Sequence, residues 1–122
     1  MKIISISLKE KSVKIEKVTN FNTLTAEIKR NNLMPITLDN DTLNCIIELD
    51  VTIKNEKKEN LLISKIAYIV SVKDISNYEQ NNTADEIFEK LYYMYYDTIN
   101  NLLQEVNFPP IPLTVFEKKM LS

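Results

Sequence analysis

The sequence predicts an α+β fold: an antiparallel sheet of about four strands, packed by one long helix and followed by a proline elbow and a short C-terminal helix. Alternation of apolar and polar residues dominates the chain before residue 75, which is typical of strands with one buried face. A helical repeat of apolar residues then runs to about residue 106. Three prolines follow within four positions, at 109, 110 and 112. A chain of 122 residues is expected to form a single domain, 1–122.

The first strand is predicted from two alternating runs, residues 2–8 and residues 12–18. With the charged residues 9–11 between them, the two runs predict one long or broken strand with a kink. Residues 19–41 have no clear period, and Pro35 argues against a central strand because proline cannot donate to the ladder. We expect this segment to be an irregular crossover. The apolar face of the first run comprises Ile4, Ile6 and Leu8.

The clearest strand lies at 43–54, where every second residue is apolar. Residues 55–60 are polar and predict a hairpin connection to a return strand at 61–73. This return strand is apolar on both faces, so we expect covering on both sides. Because the sequence has no glycine, left-handed turn positions are expected to fall to Asn and Asp, at residues 31–32, 39–41, 55 and 81–82.

The long helix is predicted from the capping-box pattern Thr83-Ala84-Asp85-Glu86 to about Val106. Its apolar stripe is wider than one sheet contact requires. Tyr93 and Tyr96 lie outside the stripe on the polar side. Two interpretations stay open: tyrosines partly covered at the edge of the domain, or a helix packed between its own sheet and another subunit, with Tyr93 and Tyr96 in the oligomer interface.

Composition excludes several functions. The absence of histidine removes the commonest general base and most zinc sites, and the absence of glycine excludes glycine-rich phosphate loops. We therefore expect no cofactor and no metal. The single cysteine, Cys45, and the lack of a recognisable signal peptide favour the cytoplasm. A net charge of -2 and short apolar runs indicate no nucleic-acid partner and no membrane insertion.

The order of these elements resembles the SecB family of export chaperones. The residues that carry the resemblance are the strand IISISLKEKSVKIEK at 3–17, the hairpin, and the segment EIFEKLYYMYYDTINNLLQEVNFPPIPLTVFEKKML at 86–121. The helix with its proline elbow is the most specific part, and the resemblance covers most of the chain in order and spacing. Asn82 and Asn107 stand where that family commonly has glycines.

The resemblance implies a holdase chaperone that binds unfolded protein clients in apolar grooves and assembles as a homo-oligomer, a dimer of dimers. Burial of apolar surface supplies about 25 cal/mol per Å² without requiring one client sequence. Such binding needs no nucleophile, metal or cofactor. The candidate client-binding residues, for each of which core packing is the alternative, are Phe21, Leu24, Leu33, Ile63, Tyr92 and Tyr95.

Other functions stay open. A non-catalytic adaptor with the same fold would bind one specific protein partner. An enzyme is not expected, because the acidic clusters at 39–41, 48–50 and 85–89 are explained by a turn, a solvated strand face and a helix N-terminus. Export-dedicated members of the family carry a C-terminal zinc tail that has no matching residues here. Contact with the translocation motor therefore cannot be carried over from the resemblance, and roles in export, antitoxin control or a mobile element are not distinguished.

Overall fold

The computed structural model describes residues 1–75 and 78–121, with side chains as far as Lys119. These residues form five strands and two helices. The strands are β1 (Lys2–Ile15), β2 (Thr25–Arg30), β3 (Met34–Asp39), β4 (Thr42–Lys54) and β5 (Asn60–Lys73), and the helices are α1 (Gln80–Glu105) and α2 (Leu113–Leu121). The predicted α+β class is confirmed, with its sheet, long helix and short C-terminal helix.

All strand pairs are antiparallel, in the order β1-β5-β4-β2, and β3 also pairs with β4. β2 and β3 lie along successive parts of the same edge of β4. The prediction that residues 19–41 are irregular is therefore wrong for β2 and β3. Pro35 lies on β3 at the edge of the sheet, where its missing N–H costs no ladder bond.

β1 is one strand with irregular pairing between Ile3 and Ser5 and between Leu8 and Glu10. Opposite residues of an antiparallel pair share a face, so Leu8, opposite Tyr68, and Val13, opposite Ser64, both face the helix side. Lys9 forms a bulge inside the predicted kink. Because of this bulge, even-numbered residues before it and odd-numbered residues after it lie on the same face. The first irregularity places Ile3 there, whereas Ile4 was expected.

α1 covers one face of the sheet and builds the core with alternate residues of β4 and β5. Tyr95 is fully buried there, and its hydroxyl donates to the carbonyl of Ile47 at 2.9 Å. Its ring meets the edge of Tyr68 at a centroid distance of 5.2 Å. The core comprises, among others, Leu43, Cys45, Ile47, Leu49, Val51, Leu62, Ile66, Val70, Ile87, Phe88, Leu91, Ile99, Leu103 and Phe116. No described element covers the opposite face of the sheet.

α1 begins one turn earlier than predicted. The carboxylate of Glu79 accepts the N–H groups of Asn81 and Asn82, at 3.1 and 2.7 Å, and so caps the helix. Thr83 is buried inside the first turn and is not the N-cap, so the capping-box prediction is wrong. The physical reason is that the Glu79 side chain already satisfies two of the N–H groups that a helix start leaves without partners.

The C-terminal end of α1 closes on Asn107, whose φ of 61° lies in the left-handed region. The Asn107 N–H donates to Gln104 O at 3.1 Å, and the Phe108 N–H donates to Leu103 O at 2.9 Å. This is the Schellman pattern, with asparagine at the position that glycine usually occupies. Asn40 also has positive φ, as predicted, but Lys58 and Asp74 take the other such positions found in the described residues.

Candidate functional site: an apolar groove

Residues 16–24 connect β1 to β2 and overlap the start of the crossover predicted at 19–41; from here on they are called the crossover segment. This segment faces the proline elbow, residues 108–112. Between them lies a cavity of about 350 Å³ that is open to solvent on one side. Its floor is formed by Ala26 and Ile53 of the sheet. The residues that line this first cavity are Phe21, Asn22, Leu24, Ala26, Ile53, Pro109, Pro110, Ile111, Pro112 and Val115.

A second cavity of about 250 Å³ lies on the other side of Phe21. Phe21 lines both cavities, and its ring stacks on Phe108 at a centroid distance of 6.1 Å and an interplanar angle of 16°. Phe21 is thus the residue shared by the two cavities, whereas Phe108 lines only the second, and we refer to the two cavities together as the apolar groove. The second cavity is lined by Ile15, Lys17, Val18, Thr19, Phe21, Leu61, Val106 and Phe108.

The wall made by the elbow is fixed by α1. The side-chain amide of Asn100 accepts the N–H of Ile111 at 2.8 Å and donates to the carbonyl of Ile111 at 3.2 Å. Ile111 is buried beneath this contact. Three prolines hold the neighbouring backbone at fixed φ and offer no N–H group, so this wall is stiff and lacks three backbone donors.

The wall made by the crossover segment is held by the turn between β4 and β5. Lys17 pairs with the carboxylate of Glu59. The carboxylate of Glu56 lies 3.2 Å from the N–H nitrogen of Asn22 and 3.5 Å from that of Thr23. The Glu56 pKa is lowered by hydrogen bonds from its own N–H and from Asn22. Between these anchor points the segment forms no regular secondary structure.

The groove is almost free of charge. Of the described residues that line the two cavities, Lys17 is the only ionisable one, and Glu59 neutralises it. A wider opening of about 620 Å³ lies beside the β3–β4 turn, but polar residues of this turn and of the adjoining strand ends form most of its wall. Within the described parts of the chain, no group of three Cys, Asp or Glu residues is placed to hold a metal ion.

Two of the six predicted client-binding residues, Phe21 and Leu24, line this groove. Leu33 and Tyr95 are core residues, 2% and 0% exposed, so they present no surface to a partner. Ile63 is 36% exposed but alternates with the core residue Leu62, and so lies on the opposite face of the sheet. Tyr92 is partly buried on α1 beside Tyr93, outside the lining of both cavities.

The two tyrosines predicted at an oligomer interface differ in exposure. Tyr93 is 54% exposed. Tyr96 is partly buried, and its ring meets that of Phe116 in α2 edge-on at 5.6 Å. Tyr96 therefore joins the two helices within one chain, and Tyr93 supplies the open aromatic surface.

Sequence reasoning missed several groove residues. Ala26 and Ile53 were not singled out because they carry no chemistry of their own and become the floor only when β2 pairs with β4. Phe108 lies in the segment that carries the proline elbow, but its ring contact with Phe21 joins positions far apart in the chain. Glu56 belongs to a polar turn whose contact with the crossover segment has no sequence signal.

In comparisons with known proteins, no protein-family profile matches the chain. No curated protein matches it in sequence. Among solved structures, the chain is similar to the SecB-like chaperone of Mycobacterium tuberculosis in complex with a ChAD peptide from the HigA1 antitoxin. The TM-score is 0.72 at 14% sequence identity, and the match covers 92% of this chain and 87% of that one.

The fold is SecB-like. The match spans most of both chains. The resemblance inferred from the order of the sequence elements is thereby supported at the level of fold.

None of the helices in the described residues is long and apolar enough to cross a membrane.

Proposed function

We propose that this protein is a SecB-like holdase chaperone that binds unfolded or non-native polypeptides in the groove between the crossover segment and the proline elbow. The observation that carries the proposal is the groove itself: two adjoining apolar cavities with one neutralised charge. Apolar side chains of any sequence gain free energy by entering such a groove, at about 25 cal/mol per Å² buried. The residues offered for direct contact with the client are Phe21, Leu24 and Val115, above a buried floor of Ala26, Ile53 and Ile111.

The edge of the sheet beside the groove supports a polypeptide as the occupant. The Asn31 N–H donates to Glu48 O at 3.0 Å, so the backbone groups of Asn31 point towards β4. In an antiparallel strand the backbone groups of successive residues point alternately towards one neighbour and the other. Odd-numbered residues of β2 therefore bond to β4, and the backbone groups of Ala26 and Ile28 point away from it. No described strand pairs with this outer edge. α2 also packs against β2, and the backbone groups of this edge that stay unpaired can bond to an extended chain.

The test of the proposed function is light scattering during refolding of several unrelated denatured proteins. We expect this protein, at a small molar excess, to suppress aggregation of most of them without ATP. Suppression should weaken when a peptide rich in leucine and phenylalanine competes for the groove. Undiminished aggregation of every test protein would contradict the holdase proposal.

The second candidate function is a non-catalytic adaptor for one specific protein partner, such as an antitoxin segment. It is favoured by one observation: the structurally similar mycobacterial chaperone is described in complex with an antitoxin peptide. An adaptor would show one saturable partner and no general suppression of aggregation, so the light-scattering assay separates the two functions. Both candidates place the protein in the cytoplasm, and neither requires catalysis or a cofactor.

Assembly forms part of the proposal. We propose a homo-oligomer, a dimer of dimers, in which the open face of α1 contacts another subunit. Exposed Tyr93 and Met94 on that face support a contact there. The role in the cell, whether protein export, antitoxin control or service to a mobile element, depends on the client.

A further inference from the structure

The start of the crossover segment is held by backbone hydrogen bonds from the N–H groups of Glu16 and Lys17 to Leu61 O, at 2.9 and 3.4 Å, and the rest of the segment is held by few polar contacts. Lys17 is anchored to Glu59, and Asn22 and Thr23 are anchored to Glu56. Both glutamates belong to the turn between β4 and β5. Between the anchors the backbone forms no ladder, and Val18 is almost completely exposed. Movement of residues 18–23 therefore requires few polar interactions to break.

The same segment carries the residue that the two cavities share. Phe21 directly precedes the two residues that Glu56 holds, and it is the residue that lines both cavities. A client side chain can enter either cavity while Phe21 stacks on Phe108. A client segment that places side chains in both cavities at once meets Phe21 between them, and displacement of Phe21 with its segment would join the two cavities.

We propose that Phe21 is a gate between the two halves of the groove and that Glu56 is the positioning residue that keeps the gate closed. This inference rests on the proposed function. Long clients with two apolar anchors open the gate, whereas clients with one anchor bind without opening it. Opening the gate breaks the Glu56 contacts, and only a client with two apolar anchors gains enough contact in the second cavity to offset this loss. The gate therefore makes affinity depend on the spacing of apolar residues in the client as well as on their presence.

The test uses two fluorescent probe peptides built on a serine- and threonine-rich chain. One carries a single phenylalanine, and the other carries two phenylalanines separated by three residues, about 13 Å apart when extended. Affinities are measured for the full-length protein, for Glu56→Ala and for Lys57→Ala. The Lys57 variant is the matched control because it changes an exposed charge on the same turn and leaves the Glu56 side chain in place.

Loss of the Glu56 contacts raises the fraction of molecules with an open gate. We expect the two-anchor peptide to bind about fivefold more tightly to Glu56→Ala, and the one-anchor peptide to bind unchanged. Lys57→Ala should resemble the unmodified protein with both peptides. If Glu56→Ala weakens both peptides or leaves both unchanged, the gate is overturned while the groove still stands. If neither peptide binds the unmodified protein, the proposed function fails as well.

Hydrogen exchange gives an independent readout of the gate. The amides of Asn22 and Thr23 should be protected in the free protein, because both face the Glu56 carboxylate. Saturation with the two-anchor peptide should remove this protection, and saturation with the one-anchor peptide should retain it. Protection that persists with the two-anchor peptide bound would contradict opening of the gate.

Discussion

The side chain of Asn100 bonds to both backbone polar groups of Ile111. It accepts the N–H at 2.8 Å and donates to the carbonyl at 3.2 Å. A single amide on α1 thus fixes the position of the elbow, and with it one wall of the groove. An aspartate at this position could accept the N–H but could not donate to the carbonyl.

Replacement of Asn100 by alanine should therefore loosen the elbow. We expect the free energy of unfolding to fall by about 1–3 kcal/mol, because two partly buried backbone groups lose their partner. Asn101→Ala is the matched control, since Asn101 is an exposed neighbour on the same helix. Urea denaturation checks the pair. Equal stability of the two variants would mean that the elbow is held by packing alone.

Replacement of Phe21 and Leu24 together by serine should weaken binding of the one-anchor client peptide about tenfold or more while the fold persists. Phe21 is 39% exposed and lies in the groove, so its loss removes binding surface. The alternative of core packing predicts a loss of several kcal/mol in stability instead. The control replaces Ile36 and Leu38 by serine, because these exposed residues lie on β3 away from the groove. Melting temperature and peptide affinity are measured on both variants.

The thiol of Cys45 should be unreactive in the folded protein. Desolvation by burial raises its pKa to about 11, so at pH 8 the thiolate is rarer than in the unfolded chain, where the ordinary value is 9.0. The raised pKa keeps the thiol protonated throughout the neutral range. Alkylation by iodoacetamide, followed by mass spectrometry, should be complete in denaturant and at least tenfold slower without it. Rapid labelling of the folded protein would contradict the burial of Cys45.

Tyr93 should contribute to self-association. Its exposed ring lies against Tyr92 at a centroid distance of 4.2 Å, which forms an open aromatic surface on α1. Tyr93→Ser should shift the oligomer towards smaller species in sedimentation at micromolar concentration, and Ile36→Ser on β3 should leave it unchanged. A monomer in the unmodified protein at that concentration would end the proposal that α1 lies between two subunits.

Chelation should leave the protein unaffected. The sequence has one cysteine and no histidine, so the usual ligand set of a structural zinc site cannot be assembled within one chain. Dialysis against EDTA should not change the melting temperature. Stoichiometric zinc in the purified protein, together with lower stability after chelation, would show the opposite.

The sequence by itself determined the local structure where the hydrophobic period is long. The alternation at 43–54 specified β4, and the helical stripe specified most of α1. The prolines at 109, 110 and 112 indicated where α1 ends and the elbow begins. Asn107, in the left-handed region, ends the helix. These features depend on neighbours within a few positions, so a single sequence carries them.

Only the tertiary structure decided where the groove lies and which side chains enter it. β2 and β3 form because β4 offers an edge on which short segments can pair; each has only six residues, so the alternation of apolar residues in them is short. The same pairing buries Leu33 and leaves Phe21 to stack on Phe108. These contacts join residues far apart in the chain, and whether an isolated apolar residue becomes core or surface depends on what the rest of the fold brings beside it.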